Sequence, residues 1–462
     1  MNRVTQNDLN AFEAMLPGRV LFGEALSADY DHDEMTEYGH FMPEAVLLCL
    51  TAEEVSRVLA YCSGREIPVT PRGSGTGLCG GCVPVEGGIV LSTERMKKLI
   101  EIDRDNMTAT VEPGLLLTDF NKLLEGSGLF YPPDPGEKTA TLGGNAMTNA
   151  GGMRAVRYGV TRDYILGMEI VLADGRILTL GGKNVKTSSG YSLIDLMIGS
   201  EGTLAFLTKL TVKLIPEPKV NLSLLIPFDD LDACIRAVPE ALRCGCEPTA
   251  VEFMEREVIS CAEKYLGKQF PDAEGAAYLL IRLDGASLAA LTPAMEKLTD
   301  LMLSLGAKDV LLADTDERKE SIWNARGAFL EAIKGSSFAM DECDVVVPRS
   351  RIPEFVHRSG AIARENGVRV ASFGHAGDGN LHIYVCKDIE GDPNWVKKRN
   401  AVMDALYAEA KALDGLVSGE HGIGHAKKAY LKDSLGEDQL ELMRGIKRAF
   451  DPKGILNPGK VI

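Results

Sequence analysis

The sequence predicts an α+β fold divided into two or three domains. Three observations carry this reading. At 462 residues the chain exceeds a single ordinary core. Its first half alternates short apolar runs with dense glycine punctuation. After Pro216-Glu217-Pro218 the order strand, helix, strand, strand, helix, strand occurs twice. We place the domains at 1–217 and 218–415, with 416–462 as a C-terminal segment.

In the first half, Ile67-Pro68-Val69-Thr70-Pro71 runs into Arg72-Gly73-Ser74-Gly75-Thr76-Gly77-Leu78-Cys79-Gly80-Gly81. Gly75, Gly77 and Gly80 satisfy GxGxxG, but a dinucleotide-binding turn of that kind must open a helix. Here Val83-Pro84-Val85-Glu86-Gly87-Gly88 leads to another strand, 89–92, and a nicotinamide site is disfavoured on that context. The glycines can still cradle phosphate through a nest of backbone N–H groups. A second tract, Thr141-Leu142-Gly143-Gly144-Asn145-Ala146-Met147-Thr148-Asn149-Ala150-Gly151-Gly152, and a third, Gly199-Ser200-Glu201-Gly202-Thr203-Leu204, repeat the composition. Three such loops in one domain point to a long cofactor laid across it.

Beyond residue 218 we expect strands at 222–228, 250–254, 277–283 and 309–313, with helices at 229–243 and 287–305. After a helix over 317–334 come a strand at 344–347, a helix at 352–366, strands at 368–374 and 381–386, a helix at 395–413 and a last strand at 416–418. This spells two ferredoxin-like halves, fused into one antiparallel sheet with helices on one face.

Four of the seven histidines fall in two glycine-rich segments, Gly374-His375-Ala376-Gly377-Asp378-Gly379-Asn380-Leu381-His382 and Ser418-Gly419-Glu420-His421-Gly422-Ile423-Gly424-His425. The first reads as a hairpin. Symmetric pairing of its arms makes His375 and His382 cross-strand neighbours with Cβ atoms roughly 5 Å apart, a metal-bridging separation. With Glu420 as a carboxylate ligand they make a donor set for a divalent metal (zinc, iron or manganese), and one imidazole is left over for acid–base work.

Composition narrows the function classes. A formal charge of -16 disfavours nucleic acid and anionic membrane surfaces as partners. No stretch approaches the ~18 apolar residues of a membrane span, and Met1-Asn2-Arg3-Val4-Thr5-Gln6-Asn7-Asp8 has no apolar signal core, so a cytoplasmic protein is expected. The ten cysteines form no four-thiolate run, and only Cys79/Cys82 and Cys244/Cys246 lie close in sequence. Redox chemistry in this chain must therefore use an organic cofactor rather than an Fe–S cluster.

Taken in order, these motifs resemble the FAD-linked oxidoreductases of the vanillyl-alcohol oxidase and p-cresol methylhydroxylase fold, in their D-2-hydroxy-acid dehydrogenase branch. The resemblance rests on Pro71 to Gly77, Pro132-Pro133-Asp134-Pro135, Gly143-Gly144-Asn145 with Asn149 to Gly152, Gly199 to Leu204, both histidine segments, and the ending Phe450-Asp451-Pro452-Lys453-Gly454-Ile455-Leu456-Asn457-Pro458-Gly459-Lys460. It implies a two-part FAD-binding domain of the p-cresol methylhydroxylase type. To this is joined a substrate domain with a large antiparallel sheet of two ferredoxin-like halves, and the C-terminal segment returns to the flavin.

For the cofactor, the resemblance implies contacts from Pro71, Arg72, Gly73, Ser74, Gly75, Thr76, Gly77, Leu78, Pro135, Thr141, Leu142, Gly144, Asn145, Thr148, Asn149, Gly151, Glu201, Gly202, Leu204 and Asn457. Some members tether flavin through a histidine in the first loop. Ser74 stands here, so FAD is expected to be non-covalent. The likeness also assigns the metal to His375, His382 and Glu420, the catalytic base to His421, and the substrate to Arg326 and Asn380. Members specific for dicarboxylates carry a lysine just before strand 344–347, where this chain has Glu342-Cys343, which implies a small monocarboxylate. The implied activity is oxidation of a D-2-hydroxy acid, D-lactate ahead of glycolate. Electrons pass to a separate electron-transferring flavoprotein or iron–sulfur subunit. A non-catalytic flavin relay is the rival reading.

Overall fold

The computed structural model describes residues 1–462 and divides them into two compact units. The first comprises Met1–Gly151, Val160–Glu217 and Glu420–Ile462; the second comprises Gly152–Gly159 and Pro218–Gly419.

In the first unit, β1 (Val20–Leu21), β2 (Ala45–Leu48), β3 (Val69–Arg72) and β4 (Ile89–Ser92) form a sheet in the order β1-β2-β4-β3, with β2 and β3 both parallel to β4. The helix Ala52–Arg65 starts where Thr51 Oγ1 accepts the Glu54 N–H, and it buries Val55, Val58, Leu59 and Cys62 as one apolar stripe. Those side chains share a core with Leu47, Val69, Ile89 and Leu91. Each fully buried aliphatic there contributes about 1.5–3 kcal/mol. β5 (Leu99–Asp103), β6 (Thr108–Val111), β7 (Leu129–Phe130), β8 (Ile165–Val171), β9 (Ile177–Gly181), β10 (Phe206–Lys213) and β11 (Ile215–Pro216) follow. All but β7 and β11, which pair with each other, make an antiparallel sheet in the order β5-β6-β10-β8-β9. The C-terminal segment closes on the edge of β3: the Val69 N–H donates to Ile455 O at 2.8 Å and the Asn457 N–H to Val69 O at 2.7 Å.

The second unit is built on β12 (Val220–Phe228), β13 (Ala250–Glu255), β14 (Ala277–Gly285), β15 (Leu311–Ala313), β16 (Ala339–Val346), β17 (Arg369–His375) and β18 (Asn380–Lys387). Their order is β15-β12-β14-β13-β17-β18-β16, with every pairing antiparallel. The first four strands have the 4-1-3-2 order of a ferredoxin-like unit, and β13 and β17 join the halves.

The structure corrects several expectations. The strand expected at 416–418 is a single bridge, Val346 to Leu416, because Ser418 and Gly419 turn aside to bond Asp344. The helix Arg256–Leu266 was not expected, although Val258, Ile259 and Ala262 lie on one buried face. The helix expected over 317–334 breaks at Ala328 into Asp316–Gly327 and Phe329–Gly335. Residues of both parities in β12, β14 and β18 are buried, so helices do not cover one face alone. Trp323, Arg326 and Phe329 lie across the face that carries Ser223, Glu252 and Phe373. The second glycine tract is not a loop but the helix Leu142–Thr148, started by Thr141 Oγ1 accepting the Gly144 N–H.

Candidate active site

Within the first unit the three glycine tracts converge. A Cβ on Gly73 would lie 2.4 Å from Thr141 Oγ1, and one on Gly202 would lie 2.8 Å from Pro71 Cγ, so only glycine permits these approaches. The Gly199 N–H donates to Ala146 O at 3.1 Å and the Glu201 N–H to Met147 O at 2.8 Å. Asn457 Nδ2 then donates to Gly81 O at 2.8 Å and to Glu201 O at 2.7 Å. The backbone N–H groups of Ser74, Gly75, Thr76, Gly77 and Leu78 donate to no acceptor within the protein, and none of these residues is buried. A run of open N–H groups on a glycine loop fits a pyrophosphate.

Several expected cofactor residues serve this cradle through their neighbours. Arg72 turns out of the tract: Nη1 donates to His32 O at 2.8 Å and Nη2 to Asp29 O at 2.6 Å. The Glu201 carboxylate accepts the N–H groups of Ile423 at 2.7 Å and Gly424 at 2.8 Å, so it holds the segment that carries His421. Burial pushes that carboxyl up, while the two N–H groups act against the shift. Thr148 Oγ1 donates to Gly144 O at 3.1 Å, Asn149 Oδ1 accepts the Arg162 N–H at 3.0 Å, and Pro135 O accepts from Lys138 Nζ at 2.9 Å. Leu142, Asn145 and Leu204 are buried. Glu420 packs on the end of the second tract, where a Cβ on Gly151 would lie 2.7 Å from its Oε2. His421 Nε2 lies 3.6 Å from Glu420 Oε1.

Within the second unit His375 ends β17 and His382 lies on β18. Their expected direct opposition is corrected. His375 pairs with Asn380 and His382 with Phe373, because the turn closes earlier, with the Gly379 N–H donating to His375 O at 3.1 Å. The register differs by two residues, which keeps both side chains on one face, and their ring centroids are 5.3 Å apart. Each imidazole donates from Nδ1 to a buried carboxylate: His375 to Glu252 Oε1 at 2.8 Å and His382 to Glu342 Oε1 at 3.0 Å. Metal-binding histidines are commonly held this way, with the second nitrogen turned to the ion. The donor set therefore fits a divalent cation.

Arg326, expected at the substrate carboxylate, is anchored by Glu252. It is buried, with Nε 2.9 Å and Nη2 2.5 Å from Glu252 Oε2, and its guanidinium carbon lies 4.5 Å from the Phe373 ring centroid. Burial pushes the Glu252 carboxyl up, but His375 and Arg326 outweigh it and hold Glu252 below the usual carboxylate range. Asn380 donates from Nδ2 to Asp344 Oδ1 at 2.7 Å and to Val345 O at 2.9 Å. Asp344 Oδ2 in turn accepts from Ser418 Oγ at 2.8 Å and the Gly419 N–H at 3.1 Å, one residue before Glu420. Glu342 lies inside β16 against His382, not at a position preceding the strand. Glu252 and Asp344 are not among the site residues expected from sequence, and Glu342 is expected there only as a bar to dicarboxylates, not as the partner of His382. Their signal was carboxylates inside strands too apolar to hold them without partners.

Residues 43–181 match the model of an FAD binding domain, and residues 217–461 match that of the C-terminal domain of FAD linked oxidases. The chain is 48% identical to the D-lactate dehydrogenase of Anaerostipes hadrus over 465 residues, covering 100% of this chain and 98% of that protein. It is 39% identical to the glycolate oxidase subunit GlcD of Bacillus subtilis, covering 94% of this chain and 91% of that protein. Among solved structures, p-cresol methylhydroxylase with substrate bound superposes with a TM-score of 0.82 at 20% identity, covering 99% of this chain and 97% of that one. No helix is long and apolar enough to cross a membrane.

Proposed function

Because this chain belongs to the FAD-linked oxidases, we propose that it oxidises a small D-2-hydroxy acid, D-lactate foremost, to the 2-oxo acid, with non-covalent FAD and a divalent metal. The observation that carries the reading is the pair of imidazoles, His375 and His382, each fixed at Nδ1 by its own buried carboxylate. Full-length identity to a D-lactate dehydrogenase supports the substrate class.

When bound, FAD supplies the hydride acceptor, and a cation on His375, His382 and Glu420 supplies a Lewis acid that eases loss of the hydroxyl proton. His421 takes that proton on a ring nitrogen and needs to stand within ~3 Å of the hydroxyl to do so. Arg326, its guanidinium plane fixed by Glu252, is assigned the substrate carboxylate. Asn380 orders the Ser418-Gly419 approach to Glu420 through Asp344. Electrons leave to a separate protein, an electron-transferring flavoprotein or an iron–sulfur subunit, since the chain has no thiolate run for a cluster of its own. Similarity to a glycolate oxidase subunit makes glycolate the second candidate.

Anaerobic titration with D-lactate, L-lactate and glycolate tests the reading through flavin absorbance. D-lactate is expected to bleach the flavin in a single turnover. An absorbance left unchanged by all three acids, in protein that holds FAD and metal, overturns it.

A further inference from the structure

Asp31, His32 and His40 form a second cluster of metal-ligating side chains, in the first unit and outside the residues assigned above. Asp31 Oδ1 lies 2.6 Å from His32 Nδ1 and 2.8 Å from His40 Nδ1, and the two rings are 5.0 Å apart between centroids. The backbone brings these residues together. The Phe41 N–H donates to Asp31 O at 2.8 Å, which sets residues 31 and 40 side by side. The buried Arg72 pins the start of the loop through the carbonyls of Asp29 and His32.

Backbone placement and hydrogen bonds from both imidazoles to Asp31 Oδ1 thus bring the ligand atoms together. Burial is graded across the cluster, with side-chain exposures of 12% for Asp31, 28% for His32 and 55% for His40, so it opens to solvent on the His40 side. Two imidazole nitrogens and one carboxylate oxygen suit a borderline divalent cation better than calcium or magnesium, which ask for more oxygen ligands. Tetrahedral ligands about 2.0–2.1 Å from a metal lie about 3.3–3.4 Å apart, so Asp31 Oδ1 must move about 0.5–0.8 Å away from each nitrogen, within reach of side-chain rotation.

We propose that Asp31, His32 and His40 bind a zinc-class divalent cation, with water completing the coordination. The cation is a clip on the loop. It ties residues 31 and 40 on either side of Tyr38 and next to Phe41, whose rings pack edge-on against His425 at 6.1 and 5.9 Å.

Calorimetric titration of the FAD-loaded full chain with zinc chloride, with elemental analysis after desalting, tests the site. Wild type is expected to take up one equivalent more than His40→Gln and more than His32→Gln/His40→Gln. His382→Ala is expected to retain that equivalent, which separates this site from the one proposed for catalysis. Both His40 variants should bleach with D-lactate at the wild-type rate, and their flavin spectra report that the first unit is folded. Equal zinc uptake by wild type and the double variant, or loss of the extra equivalent in His382→Ala, overturns the proposal.

Discussion

Glu252 holds His375 from 123 residues away: its carboxylate oxygens lie 2.8 and 3.0 Å from Nδ1, and the same group binds Arg326. The contact settles which nitrogen of His375 carries the proton and fixes the ring plane. Glu342 does the same for His382 from the neighbouring strand. Two carboxylates thus orient a histidine pair before any ligand arrives.

Glu252→Gln should keep the shape of this contact and lose its charge. Metal affinity is expected to fall about 10–100-fold, the usual effect of removing a carboxylate behind a ligating histidine. Arg326 is left as a buried charge without its counter-ion, so stability should drop by about 3 kcal/mol. Urea unfolding and metal content measure the two effects separately. Glu252→Gln/Arg326→Met should recover stability without recovering metal; recovery of both would show that Glu252 acts on the fold alone.

His421→Asn should retain FAD and metal yet slow flavin reduction by D-lactate roughly 10²-fold or more, the scale of a lost general base. Stopped-flow absorbance gives the rate. A wild-type rate in this variant would assign the proton to another group.

His425 makes the pH prediction. Burial first, then Lys460 and Lys428, lower its pKa to about 4, and its Nε2 is buried without a hydrogen-bond partner. The unfolded chain takes up a proton near pH 6.5, whereas the folded protein resists doing so until about 4. Its contribution is therefore complete above pH 6.5 and is lost as pH falls from there through about 4. His425→Leu should remove this part of the pH dependence and unfold no more easily at pH 7. Urea midpoints between pH 4 and 7 decide it, and an unaltered slope in the variant would refute the assignment.

Periodicity and punctuation made much of this fold legible. The helix Ile352–Asn366 and the strands of both ferredoxin-like halves follow apolar patterns that burial enforces. The hairpin register was not legible, because it depends on which residue of the turn, here Gly379 at φ +93°, adopts the left-handed conformation. The site was legible in its histidines and glycines and illegible in its supports. Glu252 and His375 meet only because β13 and β17 are neighbours in the sheet, a pairing across the two halves that no local spacing encodes. Glu201 reads as part of a cofactor loop, yet its carboxylate binds backbone 222 and 223 residues further along the chain.

Gly424 offers a test of how tightly the His421 segment is held. Its φ of +53° is left-handed, and a Cβ there would lie 1.8 Å from Cys79 O. Its N–H donates to Glu201 Oε2 at 2.8 Å and its carbonyl accepts the Val461 N–H at 2.8 Å, so the backbone has little freedom to yield. Gly436 also has a positive φ, at +79° with ψ 168°, but has nothing within 4 Å of the added carbon. Gly436→Ala should therefore carry conformational strain alone, about 1–3 kcal/mol, with unchanged flavin reduction. Gly424→Ala adds the clash with a carbonyl and must displace residues 421–424. Its flavin reduction rate should fall at least about tenfold, as expected for a misplaced catalytic group. Equal rates in the two variants would mean that the segment adjusts without moving His421, and that the contacts from Glu201 and Cys79 do not set the position of the base.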